Sequence, residues 1–316
     1  MSSFLDKVLT KDDIYIVIPV HNRKLITLGC LQQLASLNVL QQYSVIVVDD
    51  GSTDGTSEAI RESFPSVILL QGDGNLWWTG AIKLGMEYAH SCCCDFIIWL
   101  NDDCYVDHPQ TIKSLVEATR RTPNSIVGSL VLELAEPSQV AFGGKQKDGF
   151  TYEMILPSEV GLHPCDLLCG NLVCLPATVI DAIGYPDADT CPHYGGDFLF
   201  LIHARQFGYS LFLDSRYPAF NVTAAHTSQT NSDQWLTGDI GTGQIFAQIF
   251  QPQSFLSWKL WWALYTKDYP ALGWLLFLMK FSKLIPVLSV ISVLRLLPVQ
   301  QRQKISKIKR MLLPSH

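Results

Sequence analysis

Two common nucleotide-binding signatures are missing from this sequence. No Gly-x-Gly-x-x-Gly follows the first apolar run, and no Gly-x-x-x-x-Gly-Lys-[Ser/Thr] occurs anywhere. Their absence argues against dinucleotide oxidoreductases and P-loop NTPases, whose phosphates rest on those turns. The nine cysteines include no Cys-x-x-Cys pair, which argues against zinc-ribbon and zinc-finger patterns. The N-terminal stretch MSSFLDKVLTKDD has no long apolar run, so a secretory leader is not expected. An odd number of thiols without a leader fits a reducing cytosol, with most cysteines acting as small buried hydrophobes. In that compartment the Asn221-Val222-Thr223 sequon carries no meaning. Charged residues are only 16%, Gly (21) and Pro (16) are ordinary, and hydrophobic residues reach 48%, which excludes collagen-like and wholly disordered chains.

Acidic residues disappear from the tail. From Tyr269 onward there is no Asp or Glu, but there are eight basic residues, from Lys280 to Arg310. The net charge is −6, so the chain before Tyr269 stands at −14. This balance argues against a nucleic-acid partner. It suggests a body that does chemistry and a tail that touches an anionic surface.

What is present reads first as an α/β fold. The 316 residues suffice for one large domain or two smaller ones. Apolar runs at 14–20, 44–49, 67–71 and 95–100 predict strands buried on both faces. Helical spacing predicts helices over 24–38, about 55–63 and about 79–90. Strands alternating with helices predict a mostly parallel sheet covered on both sides. The second half is mixed. Short strands and turns are expected over 125–156, strands at 170–175 and 210–214, a helix at 196–208, and irregular chain over 218–253.

In such a sheet, ligands bind at the carboxyl ends of the strands. There the sequence places Pro19-Val20-His21-Asn22, then Asp49-Asp50-Gly51-Ser52, then Asn101-Asp102-Asp103. Adjacent carboxylates repel unless a cation or hydrogen-bond donors offset them. Asp102-Asp103 suits a divalent cation bridging to a diphosphate, and Asp50 suits a nucleoside hydroxyl or N–H. Turn formation and helix capping explain each motif alone. Their recurrence at successive strand ends favours a site.

In order and spacing, PVHN, VVDDGSTDGT, GNLWWTGAIKLG and LNDD resemble a family 2 glycosyltransferase. The resemblance covers roughly residues 14–230, and the Trp-Trp variant is similar to rhamnosyl- and galactofuranosyl-transferase-like members. It implies an inverting enzyme with a GT-A fold and a nucleotide-sugar donor. It implies that Pro19, His21 and Asp50 line the nucleoside pocket, with Asn22 and Ser52 beside them. Asp103 would ligate Mn2+ or Mg2+, with Asn101 standing in place of the family's first Asp and Asp102 near the ribose or diphosphate. Lys83 stands where the family often has Asn, either to meet a phosphate or as a solvated helix residue. In HYGGDFLFLIHARQFGY, Asp197 matches the catalytic base, and Gly196 replaces the Glu before it. A position at a helix N-terminus would keep Asp197 ionised. His226 matches a further metal ligand of some members. Trp77 and Trp78 would stack on sugar, one buried and one exposed, with His193 and Tyr194 as further acceptor contacts.

The tail from 254 holds four of the eight tryptophans, Trp258, Trp261, Trp262 and Trp274. Its apolar stretches at 271–279 and 284–298 are interrupted by Lys280, Lys283, Pro286 and Arg295. This suits helices lying in a membrane interface. A helical subdomain packed on the body and a single tilted span are the alternatives. The expected organisation is a glycosyltransferase domain over 1–253, with a nucleotide-binding half at about 14–103 and an acceptor half at about 104–230. A basic helical tail follows over 254–316. The expected activity is sugar transfer from a UDP- or dTDP-sugar to a glycan or lipid-linked acceptor in cell-surface polysaccharide synthesis. The expected location is cytoplasmic, on the inner face of the cell membrane. Two other readings are a non-catalytic sugar- or lipid-binding module, motivated by Asn101 and Gly196, and a nucleotidyltransferase, disfavoured because PVHNRK lacks glycine.

Overall fold

A computed structural model of the chain describes residues 9–223, 235–238 and 241–312. Two compact units emerge, Met1–Ala225 and His226–His316, so the divide falls before the change of composition at 254.

In the first unit the apolar runs form β1 (Ile14–Val20), β2 (Ser44–Asp49), β3 (Ile68–Gln71) and β4 (Phe96–Leu100). They are parallel, in the order β3-β2-β1-β4. Parallel neighbours need crossover connections. These are made by α1 (Lys24–Ser36) with the short α2 (Val39–Gln42), by α3 (Thr56–Ser63) and by α4 (Trp77–Ser91). Burial on both faces explains why the strands show no polar alternation. Ile14, Ile16, Ile18 and Val20 share one core with Leu31 and Leu34 of α1. On the other face α4 lies so close that a Cβ on Gly85 would sit 2.3 Å from Val17 Cγ1.

Beyond β4 come β5 (Cys104–Tyr105), α5 (Gln110–Arg121), β6 (Ser125–Glu133) and β7 (Val140–Phe142). β8 (Gly144–Asp148), β9 (Thr151–Met154), β10 (Leu162–Cys165), β11 (Leu167–Leu168) and β12 (Leu172–Pro176) follow. Then come α6 (Thr178–Ile183), α7 (Gly196–Gln206) and β13 (Ser210–Asn221). The main sheet runs β10-β13-β6-β12-β4-β1-β2-β3. Within this path β12 is antiparallel to both neighbours, β10 is antiparallel to β13, and every other pairing is parallel. β11, β8 and β9 form a second, three-stranded sheet.

Several elements of this unit exceed the sequence expectation, and α5 and β13 are the longest of them. No element was expected at α5, although its buried Ile112, Leu115, Val116 and Thr119 recur at helical spacing. The strand expected at 210–214 continues to Asn221 through a register shift between Asp214 and Ala219. Asp214, at the shift, is held by Arg216 at 2.7 Å and by the Ser114 hydroxyl at 3.0 Å.

The second unit contains α8 (Thr242–Ala247), α9 (Trp258–Asp268), α10 (Gly273–Leu294) and α11 (Val299–Leu312). The two interrupted apolar stretches are joined here in one helix of 22 residues, α10, rather than in separate interfacial helices. Pro286 costs the helix one backbone N–H without ending it. Lys280 lies with Nζ 3.4 Å from the Trp261 ring centroid, which accommodates its charge on an aromatic face. By length and composition α10 could cross a membrane, and only 11% of its most apolar window is buried.

Candidate active site

The loops after β1, β2 and β3 are knotted together by short polar contacts. Asp49 is fully buried and accepts hydrogen bonds from the Ser52 amide at 3.0 Å and from the Ser57 hydroxyl. Asp50 reaches across to the loop after β3, accepting from the Gly74 amide at 2.8 Å and the Trp77 amide at 2.9 Å. Both Asp50 oxygens are thereby used to hold the start of α4, where Trp77 takes a left-handed backbone (φ 55°). Asn22, also left-handed (φ 50°), donates its amide to Ser52 Oγ at 2.8 Å. Its side-chain oxygen accepts from the Thr53 amide at 2.8 Å. The His21 ring bonds the Asp50 carbonyl at 2.5 Å, and Pro19 is half-buried in β1. Pro19, His21, Asn22, Asp50 and Ser52 thus meet at one rim. Lys83 does not join them. It lies further along α4, 3.9 Å from Glu87 and exposed to solvent.

After β4 the two carboxylates differ. Asp102 is 1% exposed, with Oδ1 3.0 Å from Arg23 Nη1 and Oδ2 accepting from the Thr27 hydroxyl at 2.8 Å. Burial pushes its pKa up to about 6, against the lowering effects of Arg23 and Thr27. Both oxygens are engaged, so Asp102 sits behind the rim. Asp103 reaches the surface. Its Oδ2 accepts from Arg23 Nη2 at 2.8 Å and from the Thr223 hydroxyl at 3.0 Å. No hydrogen bond from a described residue falls on its Oδ1.

Asn101 turns towards the other half of the unit. Its side-chain oxygen accepts the Trp78 indole N–H at 2.7 Å, and its amide donates to the Asn171 carbonyl at 2.9 Å. Trp78 packs edge-on against the buried Trp99, with ring centroids 5.7 Å apart. The next contact leads to the expected base. A Cβ on Gly170 would meet Asp197 Cβ at 2.8 Å and the Trp78 ring at 2.9 Å, so all three residues are packed together. Asp197 accepts from the Gly170 amide at 2.9 Å and from the Phe198 amide at 2.8 Å. It lies in the first turn of α7, which follows Gly195 in a left-handed conformation (φ 75°).

Asp197 does lie at the helix start that was expected to keep it ionised. Burial nonetheless dominates and raises its pKa, while the two amides and Lys145 pull the other way. Gly196 has a steric reason. A Cβ there would lie 2.1 Å from Thr79 Oγ1, so the glutamate of the resembling family has no room. Trp77 is 43% exposed and tilts against His193 at 5.5 Å, and His193 meets Tyr194 edge-on at 4.5 Å. Burial lowers the pKa of His193. His226 lies outside the described residues.

A divalent cation fits this donor set in one way. Among the described residues no group of three or more His, Cys, Asp or Glu could hold a metal. The Asn101 oxygen is taken by Trp78. Asp103 offers one carboxylate oxygen to which no described residue donates. That suits a hard cation such as Mg2+ or Mn2+, which takes its remaining ligands from phosphate oxygens and water. Sequence reasoning missed Arg23, Gly170 and Lys145. Arg23 follows directly on PVHN, but a single arginine after a turn gives no signal that it will bridge two carboxylates.

Residues 15–143 match the model of the family described as Glycosyl transferase family 2. An undecaprenyl-phosphate 4-deoxy-4-formamido-L-arabinose transferase from Aeromonas hydrophila is 33% identical over 112 residues. That match spans 33% of this chain and 32% of the relative, about a third of the relative's length. Among solved structures, the mannosyltransferase PcManGT from Pyrobaculum calidifontis, with GDP-Man and Mn2+, has a TM-score of 0.52 at 14% identity. It covers 98% of this chain and 91% of its own. GalNAc-T7, with UDP, GalNAc and Mn2+, has a TM-score of 0.56 at 14% identity over 69% of this chain and 44% of its own. The match to the glycosyl transferase family 2 model is confined to residues 15–143, and the chain shares the GT-A-like fold of the two solved glycosyltransferases.

Proposed function

We propose that the chain is an inverting glycosyltransferase that moves a sugar from a UDP- or dTDP-sugar to a glycan or lipid-linked acceptor in cell-surface polysaccharide synthesis. One observation carries the reading. Trp78 bonds Asn101 of the Asn-Asp-Asp motif and packs with Gly170 against Asp197, which joins the donor motif to a half-buried carboxylate. Asp197 takes the proton from the acceptor hydroxyl, and its raised pKa makes it a stronger base than an exposed aspartate. The acceptor oxygen attacks the anomeric carbon from the face opposite the diphosphate, whose bond to the sugar breaks. Asp103 would hold a divalent cation, Mn2+ or Mg2+, with His226 as a further candidate. When bound, that cation stabilises the charge of the departing diphosphate. The rim at Pro19, His21, Asn22, Asp50 and Ser52 takes the nucleoside, and the exposed Trp77 with His193 and Tyr194 takes the acceptor sugar. Mn2+ and nucleotides in the two solved relatives support the donor class. The undecaprenyl-phosphate relative supports a lipid-linked acceptor.

The second unit would hold the enzyme at the inner membrane face. Trp274, Leu278, Met279 and Val290 of α10 are exposed, and the basic residues of α11 suit anionic headgroups. Leu278→Asp with Val290→Asp is expected to reduce co-sedimentation with anionic vesicles, and unchanged co-sedimentation would contradict this role. The activity is tested by incubating the full chain with UDP-, dTDP- and GDP-sugars, Mn2+ or Mg2+ and a membrane lipid extract. Release of nucleoside diphosphate from one donor, lost in EDTA and in Asp197→Asn, is expected. Release that persists in Asp197→Asn would contradict the assignment.

A further inference from the structure

Arg23 stands where two acidic side chains would otherwise face each other unscreened. Its two ends are held differently. Nη1 binds Asp102, which is 1% exposed and fixed on its other oxygen by Thr27. Nη2 binds Asp103, which is 16% exposed and lies on the ligand side. The Arg23 backbone is fixed too, since its carbonyl accepts the Thr27 amide at 2.9 Å at the start of α1. The guanidinium is therefore anchored on the inside and exchangeable on the outside.

Resting on the reading of Asp103 as the carboxylate for a divalent cation, we infer that Arg23 is a positioning residue with two states. Without donor it occupies Asp103 and keeps the metal affinity low, and the metal is taken up together with the nucleotide. Two cations against one carboxylate repel each other, so a metal arriving alone on Oδ1 meets the guanidinium held at Oδ2 with nothing to compensate that repulsion. A diphosphate arriving with the metal brings enough negative charge for both cations. It also gives Nη2, on a guanidinium tethered through Asp102, a second acceptor suited to it. Because the coupling is reciprocal, nucleotide should tighten metal binding by the same factor that metal tightens nucleotide binding.

The test is a Mn2+ titration of the full chain followed by electron paramagnetic resonance, with Mn2+ alone and then with UDP or GDP. Arg23→Ala is expected to bind Mn2+ alone at least tenfold more tightly than the wild type and to lose most of the nucleotide-induced tightening. That variant leaves Asp102 buried without its partner. The double variant Arg23→Ala/Asp102→Asn removes the orphaned charge and is expected to show the same tight Mn2+ binding. Asp103→Asn should abolish binding in either background. Equal Mn2+ affinity in the wild type and both Arg23 variants, with binding still lost in Asp103→Asn, would overturn this inference and leave the metal reading intact. Mn2+ binding that survives Asp103→Asn would overturn the metal reading and this inference with it.

Discussion

The two carboxylates at the heart of the site are held in opposite ways. Asp103 is neutralised by side chains, the Arg23 guanidinium at 2.8 Å and the Thr223 hydroxyl at 3.0 Å. Asp197 is held by backbone, through the Gly170 and Phe198 amides at 2.9 and 2.8 Å. A carboxylate paired with a mobile cation can exchange that cation for another. A carboxylate fixed by amides in a desolvated place keeps its position and gains basicity. In the proposed mechanism, metal exchange would fall at the end of β4 and proton transfer at the start of α7.

The largest expected effect is on the Asp197 side. Asp197→Asn keeps one of the two amide-accepting oxygens but removes the base, and turnover is expected to fall about 10³-fold with nucleotide affinity unchanged. A parallel loss of nucleotide affinity would blur the division between the two carboxylates. Next comes packing behind the base. Gly196→Ala puts a methyl 2.1 Å from Thr79 Oγ1 and should destabilise the chain by about 1–3 kcal/mol, read as a lower melting temperature. Adding Thr79→Ala should recover part of that loss. Trp78→Phe keeps the ring and removes the N–H bonded to Asn101. It should cost about 1 kcal/mol, roughly fivefold in kcat/KM. The smallest effect is a shift in pH profile. Burial raises the Asp197 pKa, so the base protonates at a higher pH than an ordinary aspartate. Activity should therefore fall, as pH is lowered, at an apparent pKa above the usual value of about 4. An acid limb at or below that value would contradict the desolvated base.

The parts of the fold most legible in the sequence are those where burial is simplest. β1 to β4 are covered on both faces and so read as unbroken apolar runs, and their parallel order follows from the helices between them. The direction of β12 was not legible, because GNLVCL is equally apolar whichever way it runs between β4 and β6. α5 carried a readable amphipathic pattern. α10 was obscured by Lys280, whose charge lies over the Trp261 ring rather than ending the helix. In the site, family-like motifs pointed to Asp103 and Asp197. Arg23 and Gly170 act through contacts 80 and 27 residues away in sequence, to Asp103 and Asp197, and no local pattern announces them.

The most direct test of the central claim is the anomeric configuration of the first product formed from an identified donor, read by nuclear magnetic resonance before any mutarotation. With Asp197 as a base that activates the acceptor for attack opposite the diphosphate, the configuration is predicted to be inverted relative to the donor. A product of retained configuration would contradict the single displacement and the role given to Asp197.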